Sequence, residues 1–473
     1  MIAAHGSACL PSHPLAQRAL SKDIDRDRSA RKMRGRLICK RKSAALRKKL
    51  KVCLRRRMCN VAMSKTGFFD CLKRKECRMK NANRRPDALE EMTMNRSSLR
   101  TIFHYRASLA GSLALFFAIA GFPSPSGAQA ANIPILPDSP NLQIVGRYDM
   151  RDAQHPRFGY PGTGIIFRFQ GTSARLQVSS DSDKSALTVV LDHGVPKLQL
   201  LQKGANDVDL TGRLQNSSHT VEIYKRTESW QGILTVQGIQ LLDGGTLLPP
   251  PPLPSRTLMF VGDSVTCGAG LQFDDKCTDD PAHPSSDAYD AYGMLLGRKL
   301  DAQAHLVCYG GRGLERDYRG LGEADGVLNI PQFFRLSIAS DAPEVRAPWD
   351  AKRWQPDAIV VSLGTNDFNL QKTKPLDEKK WVAEYVAFLR ELRKDYPRSA
   401  LLLTEGSIVT DPLLRQLVQQ TVVALHDALS DANAQFVPSS HYPGNGCNGH
   451  PTQAQHLRIA DDLEPAIRKT LGW

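Results

Sequence analysis

From about residue 140 the chain is built of short apolar runs, and the spacing of those runs changes once. Between residues 165 and 241, segments rich in β-branched and aliphatic residues follow one another: Ile165–Phe169, Ala174–Val178, Leu187–Leu191, Lys197–Leu201, Val208–Leu210, Thr220–Tyr224 and Ile233–Leu241. Several alternate apolar with polar, and Gly171, Gly194, Gly204 and Asn216-Ser217 supply turn residues between them. No helical period intervenes, so residues 131–248 are expected to form an antiparallel β-sandwich. The prolines Pro249–Pro252 and Pro254 then read as a stiff linker over 249–255.

From Arg256 the pattern becomes strand, then helix, repeatedly. Leu258–Val261, Ala304–Val307, Ala358–Leu363, Leu401–Thr404 and Gln435–Val437 read as buried strands. Tyr289–Leu300, Lys379–Tyr396, Leu413–Leu429 and a last segment from about Thr452 read as helices. Trp381, Tyr385, Phe388, Leu389 and Leu392 mark one face of the second of these. This alternation predicts a three-layer α/β domain with a parallel sheet over 256–473.

In such a sheet the active site lies in the loops leaving the carboxyl ends of the strands. The first strand runs into Gly262-Asp263-Ser264, the second into Gly310-Gly311-Arg312-Gly313 and the third into Gly364-Thr365-Asn366-Asp367. His450-Pro451 precedes the final helix. A serine hydroxyl attacks an ester only with a base beside it, and an imidazole suits that work near neutrality. The negative charge that develops on the acyl oxygen needs fixed donors. The backbone N–H groups of Ser264 and Gly311 and the side-chain amide of Asn366 can supply them. Any one of these motifs alone would be an ordinary turn or helix cap. Together, in order and each at a strand end, they assign Ser264 and His450 as nucleophile and base, with Gly311 and Asn366 in an oxyanion hole. His283, His305, His426, His441 and His456 lack that placement and are expected to be structural or exposed. The α/β-hydrolase arrangement does not fit, because the serine follows the first strand and its turn lacks the second glycine of Gly-x-Ser-x-Gly.

The front of the chain changes how the global charge is read. Residues 1–91 hold 26 of the 63 basic and 8 of the 48 acidic residues, a net of +18; the remaining 37 and 40 leave the rest at −3. A nucleic-acid partner is therefore not expected for the body of the protein. The basic segment also holds Cys53/Cys59 and Cys71/Cys77, whose spacing does not suit zinc. Arg96, Arg100 and Arg106, the apolar run Ala107–Phe122 and Ala128-Gln129-Ala130 then follow in the order of a cleaved export signal over 92–130. Residues 1–91 are read as an upstream over-extension, with a translated basic arm as the alternative. A periplasmic or secreted protein without a stable membrane anchor is expected, and a monomer.

The residues over 140–473 resemble carbohydrate esterase family two, the two-domain acetyl esterases of the SGNH (GDSL-type) hydrolases. The resemblance rests on Tyr160-Pro161-Gly162 and Phe169-Gln170-Gly171-Thr172, on Phe260 to Gly268, on Asp290-Ala291-Tyr292-Gly293, on Leu363 to Asp367 and on His450-Pro451-Thr452. It implies a jelly-roll domain beside the catalytic domain, no cofactor or metal, and acetylated poly- or oligosaccharide as substrate. Many SGNH enzymes place an aspartate three residues before the histidine; here that position is Cys447. Family-two members often carry Asp-Trp just before His-Pro, where this chain has Asn448-Gly449. A Ser–His dyad with Asn448, by its side-chain or backbone oxygen, as neutral orienter is expected. Losing the tryptophan should widen the cleft. Four cysteines follow the export signal, and the pairing expected among three options is Cys267–Cys277 with Cys308–Cys447. A non-catalytic carbohydrate-binding protein and an O-acetyltransferase using the same acyl-enzyme are the competing readings; a lipase is weaker, since no extended apolar lid is evident.

Overall fold

Alternation of inward apolar and outward polar side chains builds the first half of the fold. The computed structural model describes residues 134–272, 284–429 and 433–473. The strands are β1 (Leu142–Val145), β2 (Arg157–Phe158), β3 (Gly164–Gly171), β4 (Ala174–Ser180), β5 (Ala186–Leu191), β6 (Lys197–Leu200), β7 (Gly204–Asp209), β8 (Ser217–Lys225), β9 (Leu234–Leu241) and β10 (Thr246–Leu248). One antiparallel sheet has the order β1-β3-β8-β5-β6, with β10 continuing the edge that β1 begins along β3; the other has the order β2-β9-β4-β7. Phe167, Phe169, Leu176, Val178, Val221, Ile223, Val236 and Ile239 meet between the sheets, all buried. The short strands β1, β2 and β10 carry too few alternating residues to be legible beforehand.

The second half is a parallel sheet of β11 (Arg256–Gly262), β12 (Ala302–Cys308), β15 (Ala358–Ser362), β16 (Ala400–Thr404) and β17 (Ala434–Phe436) in the order β12-β11-β15-β16-β17. Between β12 and β15 lies an antiparallel ribbon, β13 (Leu336–Ile338) with β14 (Ala347–Pro348). The helices are α1 (Ser264–Cys267), α2 (Tyr292–Leu300), α3 (Ile330–Phe334), α4 (Thr365–Phe368), α5 (Glu378–Asp395), α6 (Pro412–Leu429) and α7 (Gln453–Leu471). Strand residues divide by parity, as the pleat requires. Met259, Val261, Ile359, Val361, Leu401 and Leu403 join Trp381, Tyr385, Leu414 and Leu417 of α5 and α6 on one face. Leu258, Phe260, Val360 and Leu402 join Tyr292, Leu296, Ile459 and Leu463 of α2 and α7 on the other. Each such fully buried side chain contributes about 1.5–3 kcal/mol. Helix α2 starts three residues later than the sequence suggests. Tyr289 is held instead in a turn by its N–H to Asp287 Oδ1 (3.1 Å), and the Ala291 backbone is extended.

All described residues belong to one compact unit. The sandwich reaches the α/β layers through buried polar groups. Arg147 donates to the Phe334 carbonyl (2.5 Å) and lies over the Trp349 ring, the Tyr160 hydroxyl donates to the Phe333 carbonyl (2.7 Å), and Arg226 pairs with Asp287 (2.7 Å). Among the described residues no helix is long and apolar enough to cross a membrane. The expected export signal and basic segment lie outside the described residues.

Candidate active site

Strand order places the chemistry. β11 has β12 on one side and β15 on the other, so the chain leaves the sheet in opposite directions there and a crevice opens between the loops. Ser264, Gly311 and Asn366 lie just beyond the carboxyl ends of these three strands. Ser264 opens α1, whose first turn is capped by Asp263: its Oδ1 accepts from the Val265 N–H at 3.0 Å. Gly262 cannot be replaced by a larger residue, since a Cβ there would sit 2.0 Å from Thr266 Oγ1.

His450 Nε2 lies 2.8 Å from Ser264 Oγ, and His450 Nδ1 lies 2.8 Å from the Cys447 carbonyl. With Nδ1–H donating to that carbonyl, Nε2 is left as the acceptor for the serine proton. Burial holds the imidazole below its ordinary pKa, opposed by the Cys447 hydrogen bond, so the ring is neutral at pH 7. The acceptor on Nδ1 is thus one residue before Asn448, the residue expected to serve. Asn448 is exposed and left-handed (φ 54°), a conformation asparagine tolerates well. It forms the turn that lets the Cys447 carbonyl accept both the His450 ring and, at 3.0 Å, the His450 backbone N–H.

Gly311 is also left-handed (φ 76°), and a Cβ there would press on the Tyr318 ring at 3.0 Å. Its neighbours are tied back: the Gly310 N–H donates to Glu228 Oε2 (2.6 Å), the Arg312 N–H to the Tyr309 carbonyl (3.4 Å), and the Tyr318 N–H to the Gly311 carbonyl (2.9 Å). Among the described residues no acceptor pairs with the N–H of Gly311 or of Ser264. Asn366 Nδ2 donates to the Arg312 carbonyl at 3.0 Å, with its other proton toward Asp263 Oδ2 at a long 3.4 Å. Of the two bonds the Asn366 amide makes, the one to Asp263 is the looser. Asp367 shapes the same loop from beneath, accepting from the backbone N–H groups of Leu314, Glu315 and Arg316 at 2.8, 2.8 and 3.1 Å. Burial pushes the Asp367 carboxyl up against these bonds, and pushes Asp263 up to about 6.

The cysteines differ from expectation. Cys267 is bonded to Cys308, which joins α1 to the end of β12. The expected pairing fails because β11 and β12 are neighbours, with Gly262 opposite Cys308, so Cys267 in the helix just past β11 meets the last residue of β12. Cys447 is disulfide-bonded too; Cys277 lies outside the described residues, as does His283. The remaining histidines stand apart from the serine. His305 stacks on Trp354 with ring centroids 3.5 Å apart, and His456, fully buried on the packing face of α7, accepts from the Tyr292 N–H at 3.1 Å. Among the described residues no cluster of His, Cys, Asp and Glu has the form of a metal site.

Sequence reasoning missed the roles of Asp367, the Cys447 carbonyl and Glu228. Asp367 was visible in the Gly-Thr-Asn-Asp motif, whereas a backbone carbonyl and a sandwich residue carry no local signal.

Two known families match the two halves of the chain. Residues 144–251 match the carbohydrate esterase 2 N-terminal family, and residues 260–465 match the GDSL-like lipase/acylhydrolase family. The chain is 33% identical over 341 residues to an acetylxylan esterase / glucomannan deacetylase of Cellvibrio japonicus, covering 72% of this chain and 91% of that one. The structure of a family two carbohydrate esterase from Cellvibrio japonicus superposes with a TM-score of 0.65 at 33% identity, over 72% of this chain and 98% of that one. A family two carbohydrate esterase from Clostridium thermocellum in complex with cellohexaose gives 0.64 at 26% identity, over 70% and 99%. By its two matched regions and this identity across nearly the whole of its relative, the chain belongs to carbohydrate esterase family two, and it is a carboxylic ester hydrolase.

Proposed function

We propose that this protein is an exported serine esterase that removes O-acetyl groups from carbohydrate, such as acetylated xylan, glucomannan or their oligosaccharides. The observation that carries this reading is the 2.8 Å contact between His450 Nε2 and Ser264 Oγ, with the other ring nitrogen on a carbonyl. His450 takes the Ser264 proton as Oγ attacks the acetyl carbonyl carbon, and the oxygen becomes an oxyanion. The N–H groups of Ser264 and Gly311 and the Asn366 amide receive that charge; losing one such donor typically costs about 10²–10³ in kcat. The C–O bond to the sugar then breaks as His450 returns the proton to the leaving hydroxyl. Water, deprotonated by the same imidazole, releases acetate from Ser264. No carboxylate assists His450 in this scheme, and Asn448 acts through the backbone turn it forms.

The carbohydrate assignment draws support from the named activity of the Cellvibrio japonicus relative and from the cellohexaose bound by the Clostridium thermocellum enzyme. Tyr318, 52% exposed and against Gly311, offers a ring face for a sugar beside the reacting ester. Among the described residues nothing lies within 4 Å of where a side chain would begin at Gly449, which supports a cleft left open beside His450. The test is acetate release by the full chain, wild type beside Ser264→Ala, on p-nitrophenyl acetate and on acetylated xylan and glucomannan. Turnover in the wild type that vanishes in the variant is expected. Undiminished turnover in the variant would place the chemistry elsewhere.

A further inference from the structure

The loop joining β8 to β9 belongs to the sandwich, yet it ends inside the α/β half of the molecule. Glu228, on that loop, is buried, and its Oε2 accepts the Gly310 N–H at 2.6 Å. Gly310 immediately precedes the candidate oxyanion residue Gly311. A Cβ at Gly310 would stand 2.8 Å from the same oxygen, so only glycine admits the carboxylate this closely. Trp230, 53% exposed, favours the charged form of this carboxyl against its burial. The loop itself is fastened: the buried Lys225 ammonium donates to the carbonyls of Thr227 (2.5 Å) and Glu228 (3.0 Å), and the Glu228 N–H donates to Gln231 Oε1 at 2.9 Å.

We propose that Glu228 is a positioning residue for ester cleavage, supplied by the β-sandwich. It turns the Gly310 peptide toward the sandwich and thereby leaves the Gly311 N–H facing the acyl oxygen. The peptide carrying the Gly311 N–H lies between two tied peptides, the one before it held by Glu228 and the one after it by the Tyr318 N–H on the Gly311 carbonyl, so its rotation is restricted from both ends. On this view the sandwich is part of the catalytic apparatus and is not merely an attached carbohydrate-binding module. The burial is costly, and a carboxyl held out of water beside Asp263 is pushed up to about 7. A group that served only to join the two halves could do so with an apolar side chain at less cost.

The inference rests on Gly311 acting as an oxyanion donor, as proposed above. Its test is steady-state kinetics of the full chain with p-nitrophenyl acetate, together with inhibition by phenylboronic acid, which forms a tetrahedral adduct on an active serine. Misdirecting one donor should cost roughly 10- to 100-fold. Glu228→Ala should lower kcat by that factor, change KM less than about threefold and weaken boronate inhibition in proportion to kcat. Glu228→Gln keeps an oxygen for the Gly310 N–H and should retain kcat within about fivefold. Glu228→Asp, which keeps the charge but withdraws the carboxylate by one methylene, serves where the alanine variant does not fold, and should lower kcat in the same way. Wild-type kcat in both the alanine and the aspartate variants would overturn the proposal. So would a loss confined to KM, unchanged boronate inhibition, or a glutamine variant as impaired as alanine. Activity surviving in Ser264→Ala would instead bring down the assignment of the site. Inactive Ser264→Ala beside fully active Glu228 variants would refute the positioning role alone.

Discussion

Removing the Cys267–Cys308 disulfide should cost stability and leave catalysis nearly intact. The bond closes a loop with a sequence separation of 41 residues. In the chain-entropy relation, a loop of that length restricts the unfolded chain by about 13 cal/mol/K, or roughly 4 kcal/mol at 25 °C. Both cysteines are buried, so Cys267→Ala/Cys308→Ala introduces no unpaired polar group. The bond ties Ser264's helix to the strand that leads to Gly311, which invites the idea that it aligns nucleophile and oxyanion hole. The backbone argues otherwise. β11 and β12 are paired in register from Arg256↔Ala302 to Gly262↔Cys308, and the Tyr309 N–H donates to the Gly262 carbonyl at 3.3 Å. Those bonds hold the two strand ends without the sulfurs. Urea unfolding of the oxidised wild type and the double alanine variant measures the first claim. With m near 3 kcal/mol/M, the midpoint should fall by roughly 1.3 M. Initial rates on p-nitrophenyl acetate at 25 °C measure the second, and kcat should stay within about threefold. An unchanged midpoint would refute the loop-entropy argument. A large loss of kcat at unchanged midpoint would show that the disulfide, and not the strand pairing, sets the geometry.

Other expectations follow from the same site. With neutral His450 as the proposed base and burial depressing its pKa, kcat/KM should rise with pH and level off with a midpoint below the ordinary 6.5 of histidine. Asp263, raised to about 6, titrates in the same window, and Asp263→Asn keeps the helix cap while removing that step; a midpoint above 6.5 in both proteins would contradict the assignment. Asn448→Gly should retain activity, because glycine adopts φ 54° freely, whereas Asn448→Ala should lose about 1 kcal/mol to left-handed strain. A kcat loss in the glycine variant, read by steady-state kinetics, would return the orienting role to the asparagine side chain. Asp367→Ala strands three N–H groups, two of them buried and one partly so, and should lower stability by about 3 kcal/mol or more, with a fall in kcat as the Gly311 loop loosens. A melting temperature equal to wild type would show that the loop holds itself.

The one-dimensional pattern was enough for the two architectures. Near-continuous apolar runs along Leu258–Val261 and Ala358–Leu363 mark strands covered on both faces, and alternation along Ile165–Phe169 marks a sandwich strand. Those periods are properties of local backbone geometry, so they are legible without partners. Placing Ser264, Gly311, Asn366 and His450 needed only the rule that parallel sheets put their loops at one end. The rest depended on which elements become neighbours. Cys267 meets Cys308 because β11 lies beside β12, a choice of strand order that residue spacing does not encode. The acceptor for His450 is a backbone carbonyl, which every residue possesses, so nothing in the identities of Cys447 and Asn448 distinguishes it. Glu228 lies 82 residues before Gly310 and in the other half of the fold, where only long-range packing can bring a buried carboxyl onto the peptide beside Gly311.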